Sequence, residues 1–222
     1  MLRAIIFKEW LKIRWVFLGL LVVNLLVIAN IYINISNLLK DYSANMIWIK
    51  LIFNEALFYD DITYLPLLSG ILIGVFQFFP EINQKRLKLT FHLPVKESRM
   101  LLNMVLVGLI SLLLIYLADI ITLGLISIHF FPYELFISMS ATIFPWMLAG
   151  AAGYFLMAMV FIEPNWSKRV ILTAAGVGLI FLFYAGDGYA KYECSWWIFA
   201  LITILFSIVI YISAYNFKRG IS

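Results

Sequence analysis

Six apolar runs follow one another along the chain, at about 15–35, 62–80, 100–126, 136–162, 170–187 and 196–216, with the charged residues gathered between them. Crossing a hydrocarbon layer of roughly 30 Å at 1.5 Å per residue takes about twenty residues. Each run therefore predicts one membrane-spanning helix. The third and fourth are longer than a crossing requires, which predicts tilt or an extension past the lipid. The alternating segments that mark a membrane β-barrel do not occur. The expected fold is all-α, a polytopic membrane helix bundle of six transmembrane helices forming a single transmembrane domain over residues 1–222. Composition agrees: 64% of the residues are hydrophobic and 13% charged, against about half and a quarter in a soluble domain.

Charge then orients the runs. If the connections alternate sides, thirteen of the sixteen Lys and Arg fall on one side. They are Arg3, Lys8, Lys12 and Arg14 before the first run, and Lys85, Arg86, Lys88, Lys96 and Arg99 between the second and third. Lys168, Arg169, Lys218 and Arg219 complete the set. Only Lys40, Lys50 and Lys191 fall on the other side. Positive residues near span ends stay in the cytoplasm, so both termini are expected inside, in a bacterial inner (plasma) membrane. Trp15, Trp48, Trp166, Trp196 and Trp197 lie near run boundaries, as interfacial anchors do. No small-x-small cleavage site follows the first run, so the N-terminal segment is expected to be retained.

Three segments carry further patterns. In "FKEWLKIRW" a 3.6-residue period puts Lys8, Glu9 and Lys12 on one face, and Leu2, Ile6, Trp10 and Ile13 on the other. Residues 1–14, with Lys8, Trp10, Lys12 and Arg14, are expected to form an amphipathic helix resting in the headgroup layer. The plainer alternative extends the first span. Residues 46–66, "MIWIKLIFNEALFYDDITYLP", read as a helix lying on the outer surface. Ala149 with Gly153 and Ala174 with Gly178 form small-xxx-small pairs, which let helices approach closely in lipid.

Candidate chemistry is sparse. His92 and His129 are predicted at opposite membrane faces and cannot share a metal. No paired-cysteine, zinc-helix, nucleophile-elbow or P-loop motif occurs. An enzyme is therefore the least favoured class, no metal site is expected, and no nucleic acid is expected as a partner. Cys194 has no second cysteine to pair with and reads as a small apolar filler. Asp119 is the one good intramembrane charge and a possible intramembrane polar site, near the outer end of the third span. A polar pathway through the spans is expected from it, Asn24 and a few hydroxyls. Glu163 before Pro164, in "EPNWSKR", reads as part of a tight turn.

The stretch "FPEINQKRLKLTFHLPVKESRM", residues 79–100, holds five Lys and Arg. Holding a loop inside takes fewer. Pro80 and Pro94 bracket it, Glu81 and Lys85 form a favourable i, i+4 pair, and a short helix followed by an extended turn is expected. Leu87, Leu89, Phe91 and Leu93 lie bare among the basic residues, which points to docking of another protein. Anionic lipid is the competing partner for the charges.

In these features the chain resembles the membrane subunit of ABC transporters of the ABC-2 (type V exporter-like) class. The matching residues are Glu81, Leu89, Leu93 and Pro94, with "FKEWLKIRW" as the elbow helix. The chain departs from many relatives in carrying "QKRLK" in place of a Gly-Thr pair, and Asn103 in place of a Lys. The resemblance implies a non-catalytic permease subunit of an exporter. Residues 81–99 would form a coupling loop on an ATPase subunit, with Glu81, Lys85, Arg86, Leu87, Lys88, Leu89, Phe91, His92, Leu93 and Pro94 as the docking set. It implies two copies of an ABC ATPase that bind ATP and Mg, a second permease subunit (identical or related), and membrane lipids. Alternatives are an ABC-linked assembly factor, a haem-exporter-B-like subunit, or a stand-alone secondary transporter or channel.

Overall fold

Along the first helix the buried positions recur every three or four residues, through Ile5, Ile13, Phe17, Leu20, Ile28 and Ile31. This is the spacing of one stripe on an α-helix. The remaining faces expose Phe7, Trp15, Leu18, Val22 and Leu26, side chains at home against lipid. The computed structural model describes residues 2–41, 57–83, 97–186, 188, 190–192 and 194–219. Its helices are α1 (Leu2–Asp41), α2 (Leu65–Asn83), α3 (Glu97–Phe130), α4 (Tyr133–Ile162), α5 (Trp166–Phe181) and α6 (Trp196–Arg219). Short 3-10 turns, Asp60–Ile62 and Leu182–Tyr184, precede α2 and follow α5. Among the described residues there is no strand. Six helices are long and apolar enough to cross a membrane, consistent with a multi-pass membrane protein.

Each expected run coincides with one helix, and the ends differ for local reasons. The second run predicts an end at residue 80, yet α2 continues through Pro80 to Asn83. Apolar side chains pack that turn, and proline is tolerated inside spans where neighbours satisfy the freed backbone groups. α4 likewise runs through Pro145. α5 starts earlier than expected, at Trp166, because Asn165 caps it: its side-chain oxygen accepts from the backbone N–H of Ser167 at 3.0 Å and of Lys168 at 3.3 Å. The segment "EPN" thus forms the expected tight turn. Of the expected surface helix at 46–66, residues 46–56 lie outside the described residues, and 57–64 form turns around the 3-10 segment.

The N-terminal segment differs from its expected form. No break separates residues 2–14 from the first span, and α1 is one helix of 40 residues, about 60 Å long. Its inward stripe mixes apolar Ile5 and Ile13 with charged Glu9, where an elbow helix at a membrane surface would turn its charges to water. Glu9 is fully buried and Lys12 nearly so, while Phe7, Trp10 and Leu11 face outward. The polar face points into the bundle because partners for it wait there.

α4 is the central element, packing on α2, α6, α3 and α5, while α1 lies along α3 and α2. The α2–α4 contact is a backbone contact. A Cβ on Gly70 would overlap the Gly150 carbonyl oxygen, and a Cβ on Gly150 would overlap the Pro66 carbonyl and the Tyr116 hydroxyl. One turn along, a Cβ on Gly74 would lie 2.9 Å from Met157 Cβ and 3.1 Å from the Tyr154 carbonyl oxygen. Small residues give such close approach in lipid, where packing rather than water exclusion holds helices together. The expected Ala149/Gly153 pair belongs to this seam. The Ala174/Gly178 pair does not act in the same way, since nothing lies within 4 Å of a Cβ at Gly178. We expect Gly150→Val to destabilise the detergent-solubilised protein at the upper end of the roughly 1–3 kcal/mol typical of overpacking. Gly178→Ala should stay within about 0.5 kcal/mol of wild type, as surface changes do. Thermal melting of the two variants checks the contrast.

Candidate functional site

Where the N-terminal part of α1 meets the last turns of α2, four charged side chains gather. Lys12 donates to Glu9 Oε1 at 2.6 Å and contacts Glu81 Oε1, and Lys8 reaches the same Glu81 oxygen at 2.9 Å. Glu9 and Glu81 are fully buried. Two ammonium groups against two carboxylates leave the cluster neutral, which is the condition for holding charge in an apolar interior.

A neutral layer extends the cluster into two further helices. Gln77, one turn before Glu81 on α2, donates from Nε2 to Glu9 Oε2 at 3.2 Å and to the Met104 carbonyl of α3 at 2.7 Å. Tyr154 of α4 donates its hydroxyl to Gln77 Oε1 at 2.9 Å, with the Val105 carbonyl at 3.3 Å. Gly108 of α3 makes the room, because a Cβ there would overlap both the Tyr154 hydroxyl and Gln77 Oε1. Four helices therefore converge on one hydrogen-bonded network. Glu81 Oε2 is buried and receives no hydrogen bond among the described residues.

This placement changes the reading of Glu81. As part of the expected docking loop it would be exposed to a partner, yet it belongs to α2 and is buried against α1. An ammonium pair from α1 satisfies it, so the turn that carries it stays helical to Asn83. The other docking residues, Lys85, Arg86, Leu87, Lys88, Leu89, Phe91, His92, Leu93 and Pro94, lie outside the described residues. Of the elbow set, Lys8 and Lys12 enter the cluster. Trp10 packs its ring 5.5 Å from that of Phe17, and Arg14 sits over the Trp15 ring at 5.3 Å.

The remaining candidates are separate. Asp119 is buried on α3, with Oδ2 receiving no hydrogen bond among the described residues. Glu163 is buried at the α4–α5 turn, where its carbonyl accepts from Arg169 Nη2 at 2.7 Å. His129 sits at the far end of α3, edge-on to Phe130. Among the described residues no group of three His, Cys, Asp or Glu is placed to hold a metal ion.

Gln77, Tyr154, Gly108 and the Gly70/Gly74 pair do not stand out from sequence reasoning alone. Gly70-xxx-Gly74 carries the same small-residue signal as Ala149/Gly153. Gln77 stands four residues before Glu81 in an otherwise apolar span, and that lone amide is the available clue. Nothing in the local sequence of Tyr154 marks it. Chemically, the network lacks an activated nucleophile and is suited to tying helices together. No family model, no curated protein and no solved structure matches the chain.

Lys12→Met leaves two buried carboxylates with only half-exposed Lys8 to answer them. We expect a loss of about 3–5 kcal/mol, the usual result of removing one partner of a buried pair. Tyr154→Phe removes a neutral hydrogen bond and should cost about 1–3 kcal/mol. The ranking is read from unfolding midpoints in a single detergent.

Proposed function

We propose that the chain is the non-catalytic, membrane-spanning permease subunit of an ATP-driven transporter of the ABC-2 class, oriented with both termini in the cytoplasm of a bacterium. The observation that carries the reading is the tie between Glu81 and the α1 lysines, two residues before α2 ends at Asn83. The basic segment 84–96 follows directly. Force on that segment enters the bundle through α2 at one end and α3 at the other, and the cluster ties both to α1 and α4. A coupling element needs such a rigid attachment at its root.

In this reading a pair of separate ATPase subunits binds ATP and Mg, and a second permease subunit, identical or related, completes the path. Closing of the ATPases on ATP moves the loop, and the spans shift between states that contact the closed and open ATPases differently. The elbow role passes from a surface helix to the inward-facing lysines of α1. Lys85, Arg86, Lys88, Leu89 and Leu93 then supply the docking surface, with Glu81 as its internal anchor.

Purification from native membranes in mild detergent tests this. We expect a P-loop ATPase in stoichiometric amount, lost when Lys85, Arg86 and Lys88 are changed together to Glu. A preparation free of ATPase in several detergents contradicts the proposal, as does association unaffected by the triple charge reversal.

A further inference from the structure

Asp119 is 2% exposed, and its Oδ2 has no donor among the described residues. α3, which carries it, packs against α1, α2 and α4. None of these supplies a counter-charge along the facing stretch. α1 has no ionisable side chain between Arg14 and Tyr32, α2 none between Tyr64 and Glu81, and α4 none between Glu134 and Tyr154.

Contacts fix the level of Asp119 in the bundle. Tyr116, about one turn before it, donates to the Pro66 carbonyl at the start of α2 at 3.0 Å. Tyr32 of α1 stacks near Phe130, well beyond Asp119 on α3. The ionic cluster reaches α3 at Met104, fifteen residues and about 22 Å away along the helix. Its lysines cannot serve Asp119. The ionisable groups at this level are phenols: Tyr116, whose hydroxyl is committed to the Pro66 carbonyl, and Tyr184, which stacks on Tyr64 at 5.1 Å. Asp60 and Asp61, on the turn before α2, are exposed and carry the wrong sign. A neutral acid, by contrast, brings a donor to a region with a spare acceptor. Asn24 of α1 donates to the Leu20 carbonyl and to Ser69, one turn from Pro66, while its own Oδ1 receives nothing among the described residues.

An ionised carboxylate in an apolar interior, with no cation on the facing helices and one oxygen without a donor among the described residues, costs far more than the neutral acid. We propose that Asp119 holds a proton as a neutral carboxylic acid, a proton-binding site inside the bundle and separate from the ionic cluster. The site stands independently of the transporter reading, because it rests on burial and on the absence of charge along the facing helices. It makes Asp119 a group that stores a proton within the bundle rather than a charge.

Infrared spectroscopy of the purified protein at neutral pH reads the proton directly. The carbonyl stretch of a protonated carboxylic acid should be present in wild type, shift in heavy water, and lose intensity in Asp119→Asn. The amide matches the neutral acid in shape and charge, so this variant should fold and melt as wild type does. On wild type itself, a lipophilic carbodiimide, which attacks protonated carboxyls in apolar surroundings, should attach to Asp119 as mapped by mass spectrometry. Identical carbonyl regions in wild type and Asp119→Asn would overturn the proposal. So would a wild-type protein that shows no carboxylic-acid carbonyl band shifting in heavy water and in which Asp119 stays unlabelled by the carbodiimide.

Discussion

One ammonium group shared by two buried carboxylates governs how the first four helices meet. Lys12 stands between Glu9 and Glu81, and neither acid has another buried cation. In an apolar interior a charge without its partner costs several kcal/mol, so α1 and α2 cannot drift apart at this end without leaving two anions exposed to lipid. Gln77 hands the constraint to α3, and Tyr154 hands it to α4. The glycine seam does the complementary work further along, where Gly70 and Gly150 bring two backbones into contact. Polar pairing thus sets register at one end, and close packing sets it through the middle.

The two devices differ in what they tolerate. A glycine seam accepts no added atom but imposes little direction on the chains. An ion pair accepts small movements as long as both partners move together. At the end of α2 the ion pair fixes which side chains meet, while the glycine seam fixes how closely the backbones approach. α5 and α6 lie outside this network and pack mainly on α4.

Hydropathy makes the six spans legible, because lipid imposes a length and a composition on any helix that crosses it. The ends are less legible. Pro80 looks like a terminator, and the charge of Glu81 looks like solvent, but both belong to α2, where the α1 lysines meet Glu81. The polar face of Lys8, Glu9 and Lys12 is visible in the period of "FKEWLKIRW", while its direction is not. A polar stripe is read as facing water unless a complementary stripe is known elsewhere, and that stripe lies some seventy residues on, at Gln77 and Glu81. Asp119 is found from sequence because a lone acid in an apolar run stands out. Tyr154 is missed because an aromatic residue in a span is ordinary until its hydroxyl is seen to have a partner.

The central claim is that Lys12 and Glu81 act as a pair across α1 and α2. A charge exchange tests it most directly, with Lys12→Glu, Glu81→Lys and the double variant compared by yield of folded protein and by melting temperature. Each single change should collapse the fold, whereas the double exchange should recover most of it. In the double variant the ammonium group sits on α2, again between two carboxylates, and the cluster stays neutral. A double variant no more stable than the worse single one would show that the two residues act independently, and that no such joint ties α1 to α2.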